Sequence, residues 1–483
     1  MSVKKNFIYS ILYQIFVIIM PLITTPYIAR VIGPEGVGIQ AYTFSVANYF
    51  VLFAMLGINN YGNRSIAMVR DDKVKLSKTF WEIYSLQVAM SLFMVILYWL
   101  YVVFIANELK TFLLIQMIYI IAACIDINWL FFGLEQFKLT VMRNAVIKLI
   151  SVLSIFIFVK SSEDLFIYLF ILALGNLISQ LVLWKYINKY ITYTRVSFKG
   201  IVKHIKPILI LFIPVIAISI YKIMDKVMLA SMSNLTQVGF YENSEKIINI
   251  PLGVIIALGT VMLPRMSNLQ SSGNEEKSKK YIALSIEFVM FMAFGSIFGL
   301  IGVTPVLIPI FLDSKFIECI DIVALLSISI LFLGWANVIR TQYLIPKKKD
   351  KIYITSTILG ACTNLVVNLL LITKLGAIGA AIGTVFAEGV VAIYQTIMIR
   401  KELDILNYIQ KTIYYIIPGI VMCTSVRLIG KNLGVSLLTG IIQIVVGGFI
   451  YVLLSCIYMI ITKNELVINI GGKILHKINF IIK

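Results

Sequence analysis

The chain has 483 residues, of which 60% are hydrophobic and 13% charged, with a formal charge of +19. Its mean hydropathy is +0.95. Soluble domains rarely exceed about half apolar residues, and much of any folded surface stays exposed, so this composition excludes a water-soluble fold and points to lipid as the solvent.

A helix crosses a bilayer core with about 20 apolar residues. Only helices and closed barrels satisfy their backbone there. The apolar runs are long and lack a period of two, so they read as helices, not barrel strands. The first run follows Lys4 and Lys5 and continues to about Ile28. It is too long for a signal-peptide core and reads as an uncleaved first span. Spans are predicted at 6–29, 37–59, 81–104, 111–133, 141–159 and 164–185. A second set follows at 207–230, 244–264, 281–303, 321–344, 352–373 and 376–399, and a last pair at 412–430 and 436–461. The weakest are 244–264, which starts polar, and 412–430, which contains Arg427.

Positive charge orients these spans. With the N-terminus inside, about 30 of the 42 Lys and Arg fall in the two tails and the loops around 64–78, 138–143, 185–206, 265–280, 347–351 and 400–411. The outer segments hold only Arg30, Lys110, Lys160, Lys315, Lys374, Arg427 and Lys431. Every loop fits the alternation, which supports about fourteen spans with both termini cytoplasmic. The charge then reports topology and attraction to anionic headgroups, with no need for nucleic acid. Five scattered Cys and two His, His204 and His476, show no disulfide or zinc spacing, so no metal centre is expected.

The chain repeats weakly. A shift of 201 places Val37-Gly38-Ile39 on Val238-Gly239-Phe240 and Asn63-Arg64 on Pro264-Arg265. A shift of 214 places Val159-Lys160 on Thr373-Lys374 and Gly175 on Gly389. The unit is six spans, an even number, so both copies enter the membrane the same way. The expected fold is an all-α integral membrane protein of two six-helix bundles, 1–206 and 207–411, related by a pseudo-twofold along the membrane normal. Residues 412–483 add two helices and a tail. Transporters built this way bind substrate between the halves and alternate access by rocking them. Prolines 21 and 26 are expected to break span one, with Pro207, Pro214 and Pro251 bending spans seven and eight; gates and ordinary packing kinks both remain open. Gly376, Gly379 and Gly383 suggest close packing through small residues.

Four stretches carry a resemblance: Pro26-Tyr27-Ile28-Ala29-Arg30-Val31-Ile32-Gly33-Pro34-Glu35-Gly36-Val37-Gly38; Asp126-Ile127-Asn128-Trp129-Leu130-Phe131-Phe132-Gly133; Asp225-Lys226-Val227-Met228-Leu229 leading to Val238-Gly239-Phe240-Tyr241; and Gly376-Ala377-Ile378-Gly379-Ala380-Ala381. Their order and spacing resemble the Wzx-type polysaccharide flippases of the MOP superfamily, which also holds lipid II flippases and MATE antiporters. The resemblance implies 12–14 helices in two bundles in a bacterial cytoplasmic membrane. It implies a cargo, undecaprenyl-pyrophosphate-linked oligosaccharide, moved from inner to outer leaflet for capsule, O-antigen or exopolysaccharide. Expected partners are that cargo, membrane lipids, and polysaccharide polymerase and chain-length machinery. No cofactor is expected, and coupling to H⁺ or Na⁺ stays open.

Ionisable residues inside spans are costly and usually face a cavity or a partner. Lys222, Asp225 and Lys226 share one face of span seven at helical spacing. Arg30 ends span one at a similar depth, and Glu242 and Lys246 open span eight. One reading gives the cargo pyrophosphate to Arg30, Lys222, Lys226 and Lys246, with Asp225 and Glu242 balancing charge when the site is empty. The other makes them snorkelling charges or structural pairs. Lys148 and Glu388 lie near mid-span and either pair or line a cavity. Asp126 either couples charge or shapes the Asn128-Trp129 turn. Arg64 either anchors to headgroups or captures the cargo phosphate. Two alternatives remain: a cation-coupled MATE-type exporter using Asp225, Glu242 and Glu388, and a lipid II flippase. The short outer loops show no acid pair or nucleophile motif, so no enzyme chemistry is expected.

Overall fold

The computed structural model describes the backbone of residues 3–106 and 109–462. Side chains are described from Ile19 onward in those ranges, except at 213, 214, 217, 218 and 220–222. Among the described residues there are helices, turns and no strand. The chain packs as two compact units, Met1–Asn243 with Ile372–Ala377, and Ser244–Leu371 with Ile378–Lys483.

The first unit opens with α1, Val3–Met55. At about 1.5 Å per residue, a straight helix of that length would far exceed a bilayer core of about 30 Å. It is two spans joined at Gly33, whose φ of 71° and ψ of 179° lie where only glycine is at ease. Pro34 follows, suited to the first turn of the next helix. The helix runs on through Pro21 and Pro26, so the break falls at the glycine and not at the prolines expected to make it.

A left-handed Gly57 then starts α2, Ile58–Val69. Asp72 caps α3, Lys73–Phe104, accepting from the Val74 and Lys75 amides at 3.1 Å. The Lys75 amide and ammonium, with the Val74 amide, hold its carboxyl below the usual range. Next come α4, Lys110–Cys124, the short α5, Asn128–Gly133, α6, Phe137–Phe158, and α7, Leu165–Trp184. The single predicted span 111–133 is therefore broken at 125–127. A short α8, Phe198–Val202, leads into α9, Ile205–Met232, and the start of α10, Leu235–Ser271.

Two apolar clusters hold this unit together. One gathers Ile58 and Ile66 of α2, Phe80 and Ile83 of α3, and Trp129 and Phe131 of α5. Gly62 admits the Trp129 ring, since a Cβ there would lie 2.6 Å from it. The other joins Ala47 and Ala54 of α1 to Tyr98 of α3 and Ile120 of α4. Because α9 packs along α1, the packing boundary falls one helix beyond the repeat boundary at 206.

The second unit is built on α11, Glu275–Phe311. Around it lie α12, Cys319–Ser327, α13, Ser329–Ile339, α16, Ile405–Ile413, α17, Ile416–Leu433, and α18, Leu437–Ile461, while α14, Asp350–Leu375, and α15, Ala377–Ile399, precede α16. Gly383 of α15 meets α14 closely, where a Cβ would sit 2.2 Å from Asn368 Oδ1. Much of α18 is apolar and exposed, including Leu437, Ile441, Ile444, Val445 and Phe449. That surface is stable only against lipid.

Twelve helices among the described residues are long and apolar enough to cross a membrane. One of them, Ile19–Val69, holds two spans about Gly33, and α9 adds another, giving the expected fourteen. Of the spans that looked weak in the sequence, 244–264 is helical throughout, and 412–430 is helical from Ile416 after a turn at 414–415.

Candidate functional site

The charged residues of α9 meet α10 within the first unit. Ser233 and Asn234 turn the chain between the two helices. Neighbouring residues on one helix then reach neighbouring residues on the other. Tyr241 donates its hydroxyl to Asp225 Oδ2 at 2.8 Å, and Lys226 pairs with Glu242 at 2.5 Å. Asp225 and Tyr241 are 4% and 3% exposed, and the Lys226 and Glu242 side chains 16% and 13%. The cluster is a desolvated polar ladder in which each acid has a donor. The Lys222 side chain lies outside the described residues.

Beside this ladder, α10 crosses the second half of α1 at backbone contact. A Cβ on Gly38 would lie 1.7 Å from the Leu235 carbonyl oxygen, and a Cβ on Gly239 would lie 1.9 Å from that of Pro34. Positions 34 and 235, like 38 and 239, are 201 residues apart, the shift that relates the two halves of the sequence. The repeat therefore meets itself here in a reciprocal contact. Gln237 adds a tie, its Oε1 accepting the Ala377 amide at 2.8 Å, next to Gly376 with φ of 53°.

The other predicted residues are spread out. Arg30 is exposed, three residues before the Gly33 break. Lys148 is half-buried on α6 and shares a face with the buried Val152 and Ile155. It has no ion-pair partner among the described residues. Arg64 is exposed on α2. Lys246 is half-buried one turn beyond Glu242, in the second unit, and Glu388 is buried in α15.

Asp126 closes a turn. Its Oδ1 accepts the Asn128 amide at 2.8 Å and the Asn128 side chain at 2.7 Å. Asn128 in turn donates to Gln180 and accepts from Arg143, both at 2.9 Å. Gln87 ties this turn to α3, donating to the Asp126 carbonyl at 2.8 Å while accepting from the Trp129 indole at 2.9 Å.

Besides Arg143 of the turn network, which is 7% exposed, three buried ionisable groups escaped the sequence reading. Glu82, at 1% exposure, pairs with Lys203 at 2.6 Å and with His204 Nε2 at 3.1 Å. His204 Nδ1 lies 2.6 Å from the Tyr61 hydroxyl. Burial lowers the imidazole's proton affinity, with Glu82 pulling the other way. Glu287, at 6% exposure, accepts from the Tyr415 hydroxyl at 3.1 Å. A scan for acids inside span 281–303 finds Glu287. Nothing in a basic loop marks His204 as buried. Among the described residues no group of His, Cys, Asp or Glu is placed to hold a metal.

Comparison with known proteins places this geometry. A family model described as "Polysaccharide biosynthesis protein" matches residues 3–270. A Shigella dysenteriae protein described as "Putative O-antigen transporter" is 25% identical over 396 residues, 81% of this chain and 98% of its own length. One of the same description from Escherichia coli strain K12 is 25% identical over 259 residues, and the match spans 62% of its length. Among solved structures, the lipid II flippase MurJ superposes with a TM-score of 0.76 at 17% identity, over 94% of this chain and 99% of its own. A multidrug MATE transporter of the MOP superfamily gives 0.59 at 14%, over 84% and 96%. The multi-pass helical fold is thus the one shared by MurJ and MATE transporters, and the chain belongs to the polysaccharide biosynthesis protein family.

Proposed function

We propose that this family member is a flippase that carries undecaprenyl-pyrophosphate-linked oligosaccharide from the inner to the outer leaflet of a bacterial cytoplasmic membrane, for surface polysaccharide assembly. It makes and breaks no covalent bond in doing so. The observation that carries this reading is the family match across 3–270. The physics of the cargo fits the charge pattern. A sugar head and an anionic pyrophosphate cannot cross hydrocarbon unaided, because each unpaired polar group costs several kcal/mol. The predicted spans hold eight Lys and Arg beside eight Asp and Glu, so cations are present at depth, Lys148, Lys222, Lys226 and Lys246 among them.

Among those cations, Lys148 is the strongest cargo contact. A half-buried ammonium in a span, without an ion-pair partner among the described residues, is costly unless something anionic visits it. Lys226 is engaged by Glu242, so a phosphate reaches it only by displacing that carboxylate. In this scheme Arg30, Lys222, Lys226, Lys246 and Arg64 follow the phosphate through the cycle, while Asp225, Glu242, Glu388 and Asp126 balance charge in the empty carrier. Asp225 and Glu242 are also the groups through which H⁺ or Na⁺ would couple. Two six-span bundles exchange access by rocking, with both termini cytoplasmic and a polymerase receiving the product.

Deleting the gene tests this. Surface polymer should vanish while lipid-linked units accumulate on the inner leaflet. Wild type should restore polymer, and Lys148→Ala at equal protein level should restore about ten-fold less, as expected for one lost charge-assisted hydrogen bond. Unchanged polymer with new sensitivity to cationic drugs would replace the flippase by an exporter.

A further inference from the structure

We propose that a groove at the basic end of the second unit binds the phosphate headgroup of an anionic membrane lipid that also carries hydroxyls. The groove has a volume of about 940 Å³, within the range of about 300–1,000 Å³ typical of small-molecule sites. Its walls come from the first turns of α11, from α16 and from the end of α18. Lys277, Lys280 and Lys411 line it against Glu276 and Glu287, which leaves a net positive charge. The three lysines are exposed at the rim. Glu287 lies buried deeper in the lining, where Tyr415 donates to it. A bare anion is therefore held at the rim, and the interior accepts hydroxyl donors.

The surroundings point to a lipid and not to a soluble anion. Tyr414 and Tyr458 border the groove with ring centroids 5.2 Å apart, and Tyr458 reaches the Lys411 carbonyl at 3.3 Å. Tyrosines at this level are typical of the headgroup region. On the same two helices Ile409 and Ile413 of α16 and Ile457 and Ile460 of α18 are exposed, apolar surface on which an acyl or prenyl chain can lie. The amphipathic α16 buries Ile405, Tyr408 and Thr412 and still exposes Leu406, Ile409 and Ile413, as a helix lying in the interface does. All three walls lie at ends of spans that the charge pattern places at the inner leaflet, where anionic lipids concentrate.

The site does not depend on the identity of the transported cargo, and it is tested by binding alone. Purified full-length protein in detergent is titrated by native mass spectrometry with palmitoyl-oleoyl phosphatidylglycerol, phosphatidylcholine or undecaprenyl phosphate. Wild type should take up phosphatidylglycerol well above phosphatidylcholine. The K277Q/K280Q/K411Q variant should bind it about ten-fold more weakly, the loss expected when charge-assisted hydrogen bonds to phosphate are removed. Lys411→Glu alone, on an exposed turn, should weaken it in the same direction. Undecaprenyl phosphate displacing phosphatidylglycerol assigns the groove to prenyl phosphates, and failure to displace it assigns the groove to resident phospholipid. Equal phosphatidylglycerol binding by wild type and both variants overturns the proposal.

Discussion

The tightest constraint on any single residue falls on Gly38 and Gly239. A methyl group at either position would overlap a carbonyl oxygen of the opposing helix, at 1.7 or 1.9 Å, so alanine forces α1 and α10 apart. Gly38→Ala and Gly239→Ala should each lower the thermal midpoint in detergent and cut polymer export at equal protein level. The control is Gly448→Ala on α18, where a Cβ meets nothing within 4 Å; that exposed helical glycine should gain about 0.5–1 kcal/mol. If all three variants behave alike, the crossing carries no load. The ion pair beside it supports a second prediction. Lys226→Leu or Glu242→Leu alone takes one partner from this partly buried pair and should cost about 3 kcal/mol, whereas the two together should recover most of it. A chemical-denaturation double-mutant cycle reads the coupling, and additive singles would show that the pair is not coupled. These residues were legible because a charge inside an apolar run stands out. The contact between the glycines was visible only as a repeat, since a sequence shift says that two segments are alike and not that they touch.

At the scale of elements, apolar run length gave the helices, and breaks inside them were harder to place. Pro21 and Pro26 looked like breaks and are not. The backbone stays helical through both despite their missing amide bonds, whereas Gly33 leaves helical geometry outright. The Asp126–Asn128 turn splitting one span rests on side-chain bonds to Gln180 and Arg143, partners too distant in sequence to be read from it. The segment leading into α9 is similar, because its anchor is His204 lodged between Tyr61 and Glu82. A neutral imidazole satisfies both neighbours, donating from Nε2 to the carboxylate and accepting the tyrosine proton at Nδ1. Burial depresses its folded-state proton affinity below the ordinary value of 6.5. The unfolded chain therefore takes up the proton first, and stability falls as pH drops below about 6.5. Thermal midpoints should decline from pH 7 toward pH 5.5. His204→Gln, which can donate and accept in the same places without titrating, should flatten that decline. A wild-type midpoint unchanged over this range would show that the proton is accommodated.

At the scale of the whole molecule, one regularity in the sequence carried most of the argument. Lys and Arg alternate between rich and poor loops, and that alternation agrees with fourteen spans. The same pattern makes a claim about sidedness that α11 can test. Its 37 residues would extend roughly 55 Å as a straight helix, well beyond a bilayer core of about 30 Å. The excess lies at its start, where Lys277, Lys279 and Lys280 project from an exposed turn. A helix that overhangs on the side of its positive charges should emerge into the cytoplasm there. In a background with all five native cysteines replaced, Ser272→Cys before α11 and Lys315→Cys after it, both at exposed positions, report the two sides. A membrane-impermeant maleimide added to intact cells should label position 315 and spare 272 until the membrane is permeabilised. The reverse pattern would invert the molecule and place the lysine-lined groove in the outer leaflet. Labelling of both from outside would mean that α11 does not cross. Either result would also remove the inner leaflet as the place where cargo is loaded, because the basic loops would no longer face the compartment in which lipid-linked sugars are made.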